Sequence, residues 1–274
     1  MPETKAAQRL SLYRPYLEQV DPEMAETFDY MEKYELYDMD PSWGKADTGF
    51  TIGLDYFNDA FIFDSPYGNY YDYTTAIHEF GHYHYMFRNA EDIMVKSNNI
   101  DLCEIHSQGL EMLFYDYYDE ILGGEEGELF RFMEVYQMVD NIIESSLLSE
   151  FELEVYENPD MTLEDLNKLY LTLSQKYGIY YNDRMTELYT WVDIPHIFNS
   201  PCYYIGYATS AFTSLDILTL SEKDRHAAVE KYMEITTLPT YAAYCDAVEY
   251  VELRDIFEKG VPAQIIRETA EILR

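Results

Sequence analysis

Two histidines four residues apart bracket a glutamate in the stretch His78-Glu79-Phe80-Gly81-His82. Four residues make about one turn of an α-helix, so both imidazoles leave the same face. There each can give one ring nitrogen to a single Zn²⁺, while Glu79 lies beside the ion rather than on it. The pattern constrains fold and chemistry together. The segment has to be a helix, another part of the chain has to bring a third ligand, and Glu79 is set to take a proton from a water. With six histidines and 52 acidic residues in 274 positions, such a match also arises by chance, so the reading rests on what accompanies it.

A zinc site that cuts amides uses three protein ligands and keeps a fourth position for water. The segment from Ile100 to Phe114 has helical periodicity, with Asn98 or Asn99 as its expected N-cap and Gly123-Gly124 as its expected stop. Glu104 follows His82 by 22 residues, enough chain to turn and return antiparallel. We read Glu104 as the third metal ligand. Glu111 lies two turns further on the same face, where it can orient a ligand histidine. In a chain this acidic, the plainer reading of any one helical glutamate is a solvated face.

These residues resemble a known family. Ala76-Ile77-His78-Glu79-Phe80-Gly81-His82, then Glu104-Ile105-His106-Ser107-Gln108 and Glu111, is similar to the thimet oligopeptidase/oligoendopeptidase F family of zinc metallopeptidases. Upstream, Gly44-Lys45-Ala46-Asp47-Thr48-Gly49-Phe50 is similar to the family's G-K-x-x-G-x segment. Downstream, Ile194-Pro195-His196-Ile197-Phe198, with Tyr203 and Tyr207, resembles the segment that supplies a histidine and two tyrosines. The four blocks keep family order between residues 44 and 209. The resemblance implies a mainly α, helical zincin-like metallopeptidase catalytic domain with a small β-sheet or hairpin beside the metal helix. It also implies that His196, Tyr203 and Tyr207 are catalytic, as donors to a developing oxyanion, with Tyr204 in reserve. Two departures stand out. Tyr85 occupies the place of a second-turn histidine that members often carry, with His84 one place early. The family's N-terminal helical half has no counterpart here, so the chain reads as either a minimal member or a fragment.

Composition narrows the remaining classes. At 47% hydrophobic, residues 1–274 can bury one sizeable core, and we read them as a single catalytic domain. The N-terminus lacks the basic and apolar regions of a signal peptide, and no apolar run is long enough to span a membrane. Cys103, Cys202 and Cys245 are few and without C-x-x-C spacing, which suggests reduced thiols and a cytoplasmic location. A net charge of −34 argues against nucleic-acid and anionic-membrane partners, because phosphates need basic patches. It would attract cations and basic peptides, although solubility or a salty cytoplasm explains it more plainly. Oligomeric state is left open.

The chain reads as mainly helical. Residues 6–37 form one or two helices, the second starting at Asp21-Pro22. Thr48–Leu54 and Ala60–Phe63 are the β-like region, either a peptide-binding strand edge or a plain structural hairpin. Thr162 to Asp165 resembles a capping box, and Gly178 a helix stop. Ser200-Pro201 is expected to open a helix carrying Tyr203 and Tyr207, Ser221 to begin another, and Pro262 to sit in the first turn of the last. His84, His106 and His226 read as surface or packing groups. No phosphate-binding glycine loop and no G-x-S-x-G elbow occurs. Expected is a zinc-dependent endopeptidase of short peptides, with one Zn²⁺ on His78, His82 and Glu104 and with Glu79 as base. The alternatives are a peptide-binding relic without turnover and a zinc hydrolase that trims peptide termini.

Overall fold

The computed structural model describes residues 6–46, 48–89, 100–180, 189–239 and 241–274. Helices α1 (Ala6–Val20) and α2 (Pro22–Lys33) meet at Asp21, whose carboxylate accepts from the Glu23 amide and caps α2, with Pro22 in its first turn. Both expected features of this junction are present. Leu10, Tyr13, Leu17, Met24, Phe28 and Met31 form the buried faces of the pair.

A small sheet follows. Strands β2 (Phe50–Leu54) and β3 (Asp59–Phe63) form the expected antiparallel pair, joined by a turn in which Asn58 adopts φ 50°. That left-handed conformation suits an asparagine. The short β1 (Tyr37–Asp38) adds in parallel to β3, which the sequence did not suggest because two residues carry no periodicity. The order β1-β3-β2 leaves β2 on an edge.

Helices α3 (Tyr71–Arg88) and α4 (Ile100–Leu113) then pack against each other. The proposed caps Asn98 and Asn99 lie outside the described residues. Contrary to expectation, α4 does not run on to Gly123. A 3₁₀ turn at Tyr115–Tyr117 breaks it, and α5 (Tyr118–Leu122) follows before the glycine stop. The tighter winding brings Phe114, Tyr115 and Tyr118 all into the core. The 34-residue α6 (Gly124–Glu157) is the longest element described. Its first half joins the main core through Phe130, Val135 and Met138, and its second half builds a smaller one from Leu147, Leu148 and Phe151 with Tyr170, Leu173 and Trp191. Helix α7 (Leu163–Tyr177) carries the expected capping box at Thr162 and Asp165 and ends at Gly178 in a left-handed cap.

Two boundaries downstream differ from the sequence reading. Ser221 ends the apolar helix Ile205–Ser221 rather than starting one, and Asp224 caps the next helix, Arg225–Ile235, by accepting from the Ala227 amide. Ser200-Pro201 does not open the tyrosine helix, because Cys202 sits at φ 62° and interrupts the winding until Ile205. Pro262 lies in the first turn of the last helix, Val261–Ile272, as expected.

Of the three remaining histidines, only His226 is exposed. His84 and His106 are buried packing groups, not surface ones. His84 Nδ1 pairs with the Thr27 hydroxyl at 3.1 Å, and His106 stacks on Tyr85 at 3.8 Å. Burial pushes both imidazoles down to about 3, so both are neutral at physiological pH. Tyr85 therefore supports α4 by ring packing. Among the described residues, no helix is long and apolar enough to cross a membrane.

Candidate active site

Close approach of two helices builds the site. A Cβ added at Gly81 would collide with the His106 carbonyl oxygen and stand 2.7 Å from Ser107 Cα. Only glycine lets α3 lie this near α4, and that separation brings Glu104 of α4 beside His78 and His82 of α3. Gly81→Ala is therefore expected to force the helices apart, costing about 3 kcal/mol, because backbone cannot yield as a side-chain tip can. It should also weaken metal uptake by at least about tenfold through displaced ligands. Thermal melting and metal titration of the variant check this; an unchanged melting temperature would contradict it.

His78, His82 and Glu104 offer ligand atoms that all lie within 4.8 Å of one another. Glu104 Oε2 is 3.4 Å from His78 Nε2 and 3.5 Å from His82 Nε2. On the far side of its ring, His78 Nδ1 meets Glu111 Oε1 at 2.6 Å. A proton held at Nδ1 leaves the Nε2 lone pair facing the cluster, which is the tautomer a metal ligand needs. Two imidazole nitrogens, one carboxylate oxygen and a carboxylate behind a ligand form a donor set that fits a divalent metal such as zinc. Burial opposes charging His78, but the Glu104 and Glu111 carboxylates outweigh it and hold the imidazole well above its usual range. Burial likewise opposes ionising Glu104, and the two histidines outweigh it, holding the carboxyl well below. The site is thus built for a positive charge facing an ionised carboxylate.

Glu79 is buried but does not join the cluster. Its carboxylate accepts from the Thr51 hydroxyl at 2.7 Å, which fixes its orientation against β2. Behind it, Gly49 leaves room that a side chain would take, since a Cβ there would stand 2.9 Å from Thr75 and 3.2 Å from Asp64. The ladder also decides where the backbone of β2 points. The Ser65 amide donates to the Thr48 carbonyl opposite it, which in the register Phe50↔Phe63 and Ile52↔Phe61 puts the hydrogen-bonded pairs at the even-numbered positions of β2. The backbone groups of Gly49, Thr51 and Gly53 therefore face the free edge, next to Glu79.

His196, Tyr203 and Tyr207 come together although the tyrosines do not share one helix. Tyr203 lies before the helix that starts at Ile205, yet its ring is 5.3 Å from that of Tyr207 and 5.2 Å from that of His196. The turn is pinned from α6, where the buried Glu152 accepts from the Cys202 amide at 3.0 Å. The Tyr203 hydroxyl donates to Glu104 Oε1 at 2.6 Å and meets Cys103 Sγ at 3.2 Å. It thus holds the cluster carboxylate rather than pointing into open space. Tyr204 turns into the smaller core, 5.4 Å from His196 and from Tyr207. Burial and the nearby Glu104 carboxylate raise both the Tyr203 and the Tyr207 phenols, so both remain protonated donors.

No family model and no curated protein matches the sequence. Solved structures do match the fold. A chain assigned as an oligoendopeptidase F, determined by X-ray at 3.1 Å, aligns at TM-score 0.91 and 25% identity over 99% of this chain and 49% of its own. Pz peptidase A in complex with an inhibitor aligns at 0.91 and 22% identity, over 100% of this chain and 50% of its own. A chain assigned as an oligoendopeptidase F from Bacillus anthracis aligns at 0.83 and 21% identity, over 99% of this chain and 47% of its own. The chain thus spans about half the length of the structures it matches. Its fold is mainly helical with a small three-stranded sheet, and it matches that of oligoendopeptidase F-like peptidase structures. More particularly, it is similar to oligoendopeptidase F structures over about half of their length.

Proposed function

We propose that this protein is a zinc-dependent endopeptidase that hydrolyses internal bonds of short peptides, with residues 1–274 acting as one catalytic domain in the cytoplasm. The observation that carries this reading is the single constellation formed by the metal-type cluster, the separate Glu79 carboxylate and the free β2 edge. His78, His82 and Glu104 would hold the ion. Zinc, when bound, supplies a Lewis acid that makes water acidic near neutral pH and polarises the peptide carbonyl. Glu79 takes the proton of the attacking water and then passes it to the leaving nitrogen. Its bond from Thr51 leaves one carboxylate oxygen for that exchange. Gly49, Thr51 and Gly53 pair with the backbone of an extended peptide, so recognition is largely indifferent to side chains.

Tyr207 and His196 serve as donors to the carbonyl oxygen as negative charge develops on it. Tyr203 belongs to the same group, and its bond to Glu104 gives it a second task, orienting the metal carboxylate. The likeness to oligoendopeptidase F structures supports peptidase function in general. The zinc dependence and the internal cut rest on the residues just named. Incubating zinc-loaded protein with a mixture of short peptides and mapping the products by mass spectrometry tests the proposal. Internal cuts that stop on chelation are expected. Trimming of termini alone, or no products at all, would overturn it in favour of a terminal hydrolase or a binding relic.

A further inference from the structure

The two faces of β2 are unlike. Thr51 turns toward α3, where its hydroxyl reaches the Glu79 carboxylate, and the β3 residues on that face, Ala60 and Ile62, are buried. Side chains alternate along a strand, so Phe50 and Ile52 stand on the opposite face. They are 41% and 44% exposed. Their partners in the register are Phe63 and Phe61. The Phe50 ring stacks on that of Phe63 at 4.9 Å, and Lys45 Nζ lies 4.6 Å from the Phe63 ring. The outer face of the sheet is thus an apolar row that ends, open, at the strand whose backbone is free. A peptide pairing with β2 extends that row. Residues opposite one another on neighbouring strands project to the same face, with Cβ atoms about 4.5–5.5 Å apart. Peptide side chains opposite Phe50 and Ile52 therefore land on the row, and those between them land on the Thr51 side.

We infer that Phe50 and Ile52 are specificity-determining residues, which select peptides carrying aromatic or branched apolar side chains at alternate positions. Backbone pairing by itself is indifferent to side chains, and the outer row adds a preference at every second one. The occupant is an extended peptide rather than a globular surface, because the edge-facing backbone groups of Gly49, Thr51 and Gly53 are matched by another strand. A second copy of this chain also has such an edge, but each copy carries a net charge of −34, which opposes pairing of two copies. The inference rests on the peptide-binding role proposed for the β2 edge.

Two short, labelled, serine-rich peptides of identical composition test it. One carries two phenylalanines separated by a single residue, the other the same two side by side, and only the first can place both rings on the outer row. Affinities are measured by fluorescence anisotropy on the full chain, with a chelator present to prevent cutting. Wild type is expected to bind the spaced peptide about threefold more tightly, the gain from one further cross-strand apolar pair. Phe50→Thr combined with Ile52→Thr should erase that difference. Ile52→Thr alone leaves the Phe50–Phe63 stack intact and should lose part of it, which separates lost recognition from a folding defect. With zinc-loaded protein the same gain should lie in KM, with kcat unchanged. Equal affinities in wild type, a preference that persists in the double variant, or no binding of either peptide would overturn the inference. So would a dimer of wild type that the double variant abolishes, since the edge would then serve a second copy. A retained preference without any turnover would contradict the zinc reading and leave the assignment of Phe50 and Ile52 standing.

Discussion

Glu79→Gln is expected to bind zinc as wild type does and to lose at least about a hundredfold in peptide turnover. The amide has nearly the shape of the carboxylate, and its oxygen can still accept from the Thr51 hydroxyl that holds Glu79 at 2.7 Å. The cluster of His78, His82 and Glu104 does not include this side chain, so removing its charge leaves the donor set intact. The amide cannot take a proton from water, however, and no neighbour replaces it. Thr51 is a hydroxyl, and the Asp64 carboxylate lies behind Gly49. Turnover and bound zinc, measured on the same preparation, check this. Turnover near wild type would mean that another group acts as the base.

The helix pair at the centre of the site was legible in the sequence because the proposed metal ligation imposes a spacing. His78 and His82 need one turn between them, and Glu104 and Glu111 need two, so a helical period could be read directly. The capping box at Thr162 and the Asp21-Pro22 start were legible for a similar reason, since short-range bonds between neighbouring residues produce both. The pair β2 and β3 stood out by its turn residues and aromatic content.

Groups that owe their role to distant contacts were not legible. Glu152 is one acid among 52, and only the packing of α6 buries it beside Cys202. Thr51 is an ordinary strand residue until α3 brings Glu79 against it. The break at Cys202 defeats the reading of Ser200-Pro201 as a helix start, because a left-handed residue held by a glutamate 50 positions earlier has no local signal. For His84 and His106 the sequence left surface and packing roles open, since nothing near them in sequence marks which face of each helix the core covers. Gly81 is an intermediate case. It belongs to a recognisable motif, but the reason for a glycine there is the carbonyl of His106 on another helix.

The most direct test of the account is the zinc content of Glu104→Ala beside that of wild type. Glu104 is the only member of the cluster that α4 supplies, and it carries the negative charge that faces the two imidazoles at 3.4 and 3.5 Å. Alanine keeps the helix, since it is the best helix former, but leaves two neutral nitrogen donors where three protein ligands are needed. Tyr203, whose hydroxyl now rests on Glu104 Oε1, would lose its acceptor and could not replace a carboxylate. After dialysis against a weak chelator, metal analysis of wild type is expected to give about one zinc per chain, and of Glu104→Ala less than about a tenth of that, with cleavage lost in parallel. Full zinc occupancy in the variant would contradict the account at its centre.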